Sequence, residues 1–233
     1  MSNLWVYDIE TIVNCFTMCA RNVSSMEVKQ FVIHESRDDS QELYDFLIAL
    51  SNTRGGMIGF NNRGFDWPVL SEFVTYYQQN KRGERLIDLL YGVAQSVISS
   101  QDQFGGRKFY EEWIPQLDLY LIHHFNNKSR STSLKAVQVA IKWWNVKDNM
   151  FPHNVPIFDH ELEELLEYNM NDVDSTLEFY LQSEEKIELR KKLGLKFPKL
   201  KKKFMNSSDV GIGELIFLDY LCKAMGMSVR ELR

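Results

Sequence analysis

Two acidic residues separated by one position stand near the start of the chain, in the stretch Leu4-Trp5-Val6-Tyr7-Asp8-Ile9-Glu10-Thr11. The apolar run predicts a strand that is buried on both faces, and residues i and i+2 of a strand project from the same face. Asp8 and Glu10 therefore project side by side. Two carboxylates at the end of a buried strand are costly unless a charge neutralises them, and hard oxygen ligands suit Mg²⁺ or Mn²⁺. The pattern predicts either a divalent cation site or a strand that ends in a solvated acidic turn.

Further acids occur at two places, one at the predicted start of a helix and one on the predicted inward face of another helix. Asp66 stands directly before Trp67-Pro68, and proline fits the first turn of a helix. Asp66 is therefore a helix N-cap, a site residue, or both. Tyr168 and Asp172 are four positions apart in a long helical pattern, so they lie on one helix face. Asp172 follows the apolar side of that helix, although an exposed acid on an acidic helix would give a similar pattern.

Apolar periodicity indicates the elements that must position these residues. Alternation predicts strands at Asn14–Ala20 and Glu27–Ile33, which continue the first strand as an antiparallel meander. A short strand at Met57–Phe60 follows a helix, as in a parallel crossover, and residues 108–121 are predicted to be partly a strand that leads to Gln116–Leu119. Helical spacing predicts helices after Asp39, across much of 71–99, after Ser133, from Asp159 to about Lys192, and at Asp209–Met225. The sequence therefore predicts an α/β fold with a mixed five-stranded sheet flanked by helices.

Bulk properties narrow the class of protein. The 233 residues carry a formal net charge of −5, which does not by itself indicate a nucleic-acid partner. Cys15, Cys19 and Cys222 show no C-x-x-C spacing, so we expect neither a disulfide scaffold nor a zinc site, and Cys15 and Cys19 are predicted to fill the core. No apolar run approaches the ~20 residues that span a bilayer, and no targeting signal is evident. We expect a soluble, cytoplasmic protein without a membrane partner.

The last part of the chain differs in composition from the rest. Lysines are dense between residues 186 and 203, ending in Lys199, Lys201, Lys202 and Lys203. Such a run is either a solvated surface or a contact for a nucleic-acid backbone. Gly211-Ile212-Gly213 is too short a glycine pattern to predict a nucleotide cofactor. We predict one domain over residues 1–192, followed by a basic linker and a helical appendage over 193–233.

Three of these stretches together resemble the exonuclease motifs of the DEDD superfamily. They are Tyr7-Asp8-Ile9-Glu10-Thr11, then Gly59-Phe60-Asn61 with Phe65-Asp66-Trp67-Pro68, then Tyr168-Asn169 with Asp172-Val173. The tyrosine of the third motif marks the tyrosine variety. The motifs are most similar to those of the proofreading exonuclease domain of family B DNA polymerases. Gln116–Leu119 and Ser133–Val137 also resemble that domain, and the resemblance covers roughly residues 1–190.

This resemblance implies a ribonuclease H-like fold and a 3′→5′ exonuclease that uses two divalent cations, Mg²⁺ or Mn²⁺, to release nucleoside 5′-monophosphates from DNA. It implies that Asp8 binds both ions and that Glu10 and Asp172 complete the ligands of the ion that holds the attacking water. Asp66 would hold the second ion through water, and Tyr168 would orient the attacking water. Asn61 and Phe65 would line the cleft that receives the 3′ end, single-stranded ends first, and the four lysines would contact nucleic acid.

Alternatives of other classes stay open at this point. The chain could be a catalytically silent ribonuclease H-like module that binds nucleic acid or a polymerase, or an exonuclease that trims RNA. All four carboxylates and the tyrosine are present, which argues against a silent module. We find none of the polymerase palm motifs, so polymerase activity from this chain is not expected. The chain would act alone or with a DNA polymerase or another replication protein.

Overall fold

A computed structural model describes residues 3–101, 110–148 and 150–228 of the chain. Within these residues the chain forms two compact units. The first comprises Met1–Asp118 and Ser133–Phe179, and the second comprises Leu119–Thr132 and Tyr180–Arg233. The domain boundary predicted at residue 192 falls within a helix of the second unit, Glu184–Lys196, and stays a prediction.

A mixed sheet of six strands forms the centre of the first unit. The strands are β1 (Leu4–Ile12), β2 (Cys15–Asn22), β3 (Val28–His34), β4 (Arg37–Asp38), β5 (Gly56–Gly59) and β6 (Gln116–Asp118), in the order β4-β3-β2-β1-β5-β6. β1 to β4 pair antiparallel, whereas β5 pairs parallel to β1 and β6 parallel to β5. The predicted α/β class is confirmed. The prediction of five strands is wrong by one, because β4 has only two residues and is too short to show an alternating pattern in the sequence.

Helices follow and flank these strands. They are α1 (Ser40–Asn52), α2 (Asp66–Gln78), α3 (Gly83–Gln101), α4 (Leu119–Ile122), α5 (Leu134–Ala140), α6 (Leu162–Gln182), α7 (Glu184–Lys196), α8 (Lys201–Phe204) and α9 (Asp209–Met225). The single long helix predicted from residue 159 to about 192 is instead α6 and α7, separated at Ser183. The N–H of Ser183 bonds to the carbonyl of Tyr180, three residues back, which interrupts the α-helical pattern. None of the described helices is both long and apolar enough to cross a membrane.

The two faces of the sheet are covered by different elements. Trp5, Tyr7 and Ile9 project from one face of β1 into the main hydrophobic core, which they share with buried side chains of α1, α2 and α3. On the other face α6 crosses β2, where Asp174 pairs with Arg21 at 2.5 Å and the thiol of Cys19 lies 3.9 Å from a backbone carbonyl of the helix. The alternation of β1 therefore directs aromatic side chains to one helix layer and Asp8 and Glu10 to the layer that contains α6.

The second unit is organised around a buried arginine. Arg190 of α7 is fully buried, and its guanidinium donates to the carbonyls of Ile122, Lys186 and Ser207 at 2.7–3.3 Å. It also pairs with the carboxylate of Asp209 at 2.9 Å, at the start of α9. One planar cation thus joins α4, α7 and α9, because its several donors satisfy carbonyls that would otherwise be buried without partners.

Candidate active site

Three carboxylates from two distant parts of the chain meet on the α6 side of the sheet. Asp8 and Glu10 come from β1 and Asp172 comes from α6, and one carboxylate oxygen of each lies within 4.8 Å of those of the other two. Asp172 is buried, whereas Asp8 and Glu10 are half-buried. The i, i+2 spacing on β1 does place both acids on one face, as the sequence predicts. The cluster therefore brings three carboxyl groups together in a largely buried place.

Asp8 is held by a buried amide. The Nδ2 atom of Asn169, on α6, donates to Oδ2 of Asp8 at 2.6 Å. The Oδ1 atom of the same amide accepts a hydrogen bond from the hydroxyl of Thr17 at 3.2 Å. Thr17 lies on β2 directly opposite Glu10, so it shares the face on which the acids project. A chain of two hydrogen bonds thus connects β1 and β2 to α6 through the amide of Asn169.

Asp172 is held by two donors from α5. Its Oδ1 atom accepts a hydrogen bond from Nε2 of Gln138 at 2.8 Å and pairs with the amine of Lys135 at 3.2 Å. Gln138 is fully buried and also donates to the hydroxyl of Ser175 at 2.8 Å. Ser133 caps α5 by accepting the N–H of Ala136, which fixes the start of the helix that carries both donors. Lys135 places one positive charge at the edge of the acidic cluster.

Asp66 reaches the opposite edge of β1. The parallel pairing of β1 with β5 ends at Val6 and Ile58, so the backbone of β1 is open beyond that point on this side. The N–H of Ile9 there donates to Oδ1 of Asp66 at 3.2 Å. Asp66 is the first residue of α2 and is buried, and Phe65 occupies the N-cap position. Asp66 is therefore not the N-cap, and its carboxylate contacts the strand between Asp8 and Glu10.

The loop between β5 and α2 is fixed by another acid. Asp118, the buried last residue of β6, accepts the N–H of Asn61 at 2.9 Å and that of Arg63 at 3.3 Å. Asn61 has a φ of 59°, a left-handed conformation that asparagine tolerates better than most residues. Phe65 is half-buried and packs against the main core. These contacts set the path by which the chain brings Asp66 to β1.

Burial and mutual repulsion raise the proton affinity of the acids. Burial raises the pKa of Glu10 to about 8, and the charges of Asp172 and Asp66 add to this shift while Lys135 opposes it. Burial also raises the pKa of Asp66 to about 7, although its own N–H and that of Ile9 act in the opposite direction. The pKa of Asp8 is likewise raised, first by burial and then by repulsion from Asp66, Glu10 and Asp172. Such a cluster favours the binding of a positive charge.

Tyr168 stands one helical turn before Asp172 and is buried. The amine of Lys135 lies 4.6 Å from the centre of its ring, which is within the range of a cation–π contact. Burial, reinforced by the negative charges of Asp172, Glu10 and Asp8, raises the pKa of the phenol further above its ordinary value of about 10. The hydroxyl of Tyr168 therefore keeps its proton at neutral pH.

Comparison with known proteins identifies the type of domain to which this site belongs. A family model of the RNase H superfamily matches residues 6–182, which is more than half of the chain. The chain belongs to the RNase H superfamily. No curated protein matches the sequence. The mixed sheet, with its antiparallel meander and parallel crossover strands, agrees with the ribonuclease H-like fold, and membership indicates nuclease-type processing of nucleic acid.

The acidic cluster of this RNase H superfamily domain suits divalent cations. Its ligand atoms are carboxylate oxygens, which Mg²⁺ and Mn²⁺ prefer to nitrogen or sulfur. The three carboxylates lie close enough to share an ion, and the raised pKa values of Glu10 and Asp66 indicate that the folded chain does not itself supply enough positive charge to stabilise their ionised forms. The residues present therefore fit a metal-dependent nuclease.

The residues predicted from the sequence fall into three groups. Asp8, Glu10 and Asp172 meet directly, and Tyr168 and Asp66 lie beside them, as described above. Asn61 and Phe65 lie in the loop that leads to Asp66. The basic residues Lys199, Lys201, Lys202 and Lys203 belong to the second unit, in a 3₁₀ turn and in α8, and all four are exposed. Their contact with nucleic acid stays a prediction.

Four residues of the site were not predicted: Thr17, Lys135, Gln138 and Asn169. Their partners are distant in sequence, so no local spacing points to them. Asn169 carried the clearest signal, since a short amide next to Tyr168 in a helix that packs on the sheet must find a partner if it is buried. Gln138 carried a weaker one, because a buried glutamine in a short helix also needs hydrogen bonds.

Proposed function

We propose that this chain is a metal-dependent 3′→5′ exonuclease of the tyrosine type of the DEDD superfamily, which releases nucleoside 5′-monophosphates from the 3′ ends of single-stranded DNA. The observation that carries the proposal is the meeting of Asp8 and Glu10 from β1 with Asp172 from α6, within 4.8 Å, one helical turn from Tyr168. The order and spacing of the three motifs in the sequence support the tyrosine-type exonuclease over other nucleases of the superfamily.

The acids have distinct proposed parts in holding the ions. Asp8, Glu10 and Asp172 would hold one divalent cation, Mg²⁺ or Mn²⁺, and Asp66 would serve a second one together with Asp8. When bound, two such cations supply positive charge at the attacking water and at the leaving 3′ oxygen of the phosphodiester. Gln138 keeps Oδ1 of Asp172 occupied at 2.8 Å, so this carboxylate cannot rotate freely.

Tyr168 is proposed to position the attacking water. Because its pKa is raised above its ordinary value, the hydroxyl remains protonated and acts as a hydrogen-bond donor and acceptor rather than as a base. Its ring is held between α6 and the amine of Lys135. That amine also offsets part of the negative charge that would otherwise repel a phosphate from this cluster.

The proposed substrate contacts lie in both units. Asn61 and Phe65 are proposed to receive the terminal nucleotides, since aromatic side chains stack on bases of any sequence. The exposed lysines between residues 199 and 203 are proposed to bind the phosphate backbone. A DNA polymerase or replication protein is proposed as a partner, on the basis of the motif resemblance to proofreading domains.

Digestion of labelled oligonucleotides tests this function. DNA and RNA, single- and double-stranded, are labelled at the 3′ or 5′ end and incubated with Mg²⁺, Mn²⁺ or EDTA. We expect a 3′ label on single-stranded DNA to be released as mononucleotide, a 5′ label to yield a descending ladder, and EDTA to stop both. Asp8→Ala should slow cleavage by more than about 100-fold, because it removes the carboxylate assigned to both ions. Asp45→Ala, at an exposed aspartate of α1, serves as the control.

Other outcomes would select other functions. Internal cuts would indicate an endonuclease, and shortening of RNA with intact DNA would indicate an RNA exonuclease. Binding of DNA without any cleavage in either metal would indicate a catalytically silent module. Cleavage by Asp8→Ala at the wild-type rate would refute the assignment of the site.

A further inference from the structure

Asn169 lies beside the acidic cluster, and both polar atoms of its amide are hydrogen-bonded to side chains of the sheet. It is fully buried and uses both ends of its amide. Nδ2 donates to Oδ2 of Asp8 at 2.6 Å, and Oδ1 accepts the Thr17 hydroxyl at 3.2 Å. Thr17 is also fully buried. Three side chains from β1, β2 and α6 therefore form one directed chain of hydrogen bonds.

The direction of this chain follows from the hydrogen-bonding groups at its two ends, the carboxylate of Asp8 and the hydroxyl of Thr17. A hydroxyl can donate its proton to the amide oxygen, which leaves the amide nitrogen on the side of Asp8. If the amide turned by 180°, its oxygen would meet the carboxylate oxygen, and two acceptors would face each other. The ionised carboxylate of Asp8 only accepts hydrogen bonds, so it selects the orientation in which Nδ2 of Asn169 faces it, and the hydroxyl of Thr17 stabilises that orientation by donating to Oδ1.

The contacts of Asp8 differ from those of Asp172. Asp172 has two donors on α5, Lys135 and Gln138. Asn169 is the one side chain within the described part of the chain that donates to Asp8. Its bond occupies Oδ2 and leaves Oδ1 without a hydrogen bond from the described residues. The rotamer of Asp8, and with it the position of Oδ1, depends on this single amide.

We propose that Asn169 and Thr17 are positioning residues, which hold Asp8 in the orientation that binds a divalent cation. The inference rests on the proposed function of the same cluster. A carboxylate that is already oriented loses less freedom when it binds an ion, and residues that orient metal ligands typically change metal affinity 10–100-fold when they are replaced. Thr17 acts only through Asn169, so the two residues form one functional unit.

Calorimetric titration of the full chain with Mn²⁺, without nucleic acid, tests the proposal. Asn169→Leu keeps a similar side-chain size, removes both polar atoms, and should weaken Mn²⁺ binding about 10–100-fold. Thr17→Val keeps the shape of the side chain and removes the hydroxyl. It should weaken Mn²⁺ binding about fivefold, which corresponds to the free energy that one neutral hydrogen bond usually contributes. Thr17→Ser retains the hydroxyl and should bind Mn²⁺ as the wild type does.

A double-mutant cycle separates positioning from a general effect on the fold. If Thr17 acts through Asn169, then Thr17→Val should cause no further loss of affinity in the Asn169→Leu background. Additive losses would overturn the relay, and so would wild-type affinity in both single variants. If Asn169→Leu does not fold, the comparison of Thr17→Val with Thr17→Ser decides the matter, because both changes are small.

The titration also distinguishes this inference from the exonuclease proposal. A wild-type chain that binds Mn²⁺ in an Asn169-dependent manner but degrades no DNA would support the positioning role and refute the exonuclease. A chain that degrades DNA while all variants bind Mn²⁺ equally well would refute the positioning role alone. A wild-type chain that binds no Mn²⁺ would refute both.

Discussion

The stability of the metal-free protein should depend strongly on pH because of Glu10. Its pKa is about 8 in the folded chain, raised mainly by burial and then by Asp172 and Asp66, against 4.5 for an ordinary glutamate. Between these two values the folded state holds a proton that the unfolded chain has released. Raising the pH therefore removes stability, which is fully present below about pH 4.5 and is lost as the pH approaches 8.

The magnitude follows from the two pKa values. Each tenfold difference in proton affinity corresponds to about 1.36 kcal/mol, so Glu10 can contribute at most about 5 kcal/mol over this range. A folded domain is stable by only about 5–15 kcal/mol. For a chain of this length about 1 kcal/mol moves Tm by about 2–4 °C, so the largest fall in Tm that Glu10 can cause between pH 4.5 and 8 is roughly 10–20 °C.

Thermal unfolding in EDTA measures this effect. Glu10→Gln cannot release a proton, so its Tm should fall less steeply with pH than that of the wild type. Glu42→Gln, at an exposed glutamate of α1, should keep the wild-type slope. Excess Mg²⁺ or Mn²⁺ at pH 8 should restore the Tm of the wild type, since a ligand that binds only the folded state stabilises it. A wild-type Tm that is flat in EDTA, or equal slopes for wild type and Glu10→Gln, would refute the reasoning.

Three further predictions concern other parts of the molecule. Tyr168→Phe should slow cleavage about 10–100-fold without changing Mn²⁺ affinity, because it removes only the group that orients water. Single-turnover kinetics measure the cleavage rate, and calorimetry measures the Mn²⁺ affinity. An unchanged cleavage rate would contradict the proposed role of Tyr168. The second change replaces four lysines by glutamine: Lys199, Lys201, Lys202 and Lys203. It should weaken binding to single-stranded DNA and reduce the slope of log K against log salt concentration by about 3. An unaltered slope would show that these lysines form only a solvated surface. Arg190→Met should destabilise the protein by about 3–5 kcal/mol in urea unfolding, because it leaves several carbonyls and Asp209 without their partner. Lys191→Met, at an exposed surface pair, should cost less than about 1 kcal/mol, and equal costs for the two variants would show that the buried contacts of Arg190 contribute little.

Elements with a clear period were predicted well from the sequence. The strands expected at Asn14–Ala20 and Glu27–Ile33 lie within a residue or two of β2 and β3, because alternation reports burial on a sheet directly. The side-by-side arrangement of Asp8 and Glu10 follows from the same rule. Cys15 and Cys19 are buried, as predicted for residues that fill the core.

The remaining features depend on contacts that sequence spacing does not encode. Asp66 has the residue type of an N-cap, but its carboxylate instead accepts the N–H of Ile9, which is free only because β5 ends early. Asp39 precedes α1 as expected, yet its side chain accepts the N–H of Val32 rather than capping the helix. In both cases the aspartate accepts the N–H of a strand residue rather than an N–H of the helix that it precedes or begins. The capping rule therefore points to an aspartate with a structural role but predicts the wrong hydrogen-bond donor.

The bond from Ile9 to Asp66 also makes the backbone of β1 a spectroscopic reporter of the site. The chemical shift of an amide proton changes with the charge of the oxygen that accepts its hydrogen bond. The ¹⁵N–¹H signal of Ile9 should therefore move when Asp66 titrates, for which a pKa of about 7 is expected, and again when an ion displaces that proton. An amide on the central strand can thus follow the state of the acidic cluster in solution without any label on the carboxylates themselves.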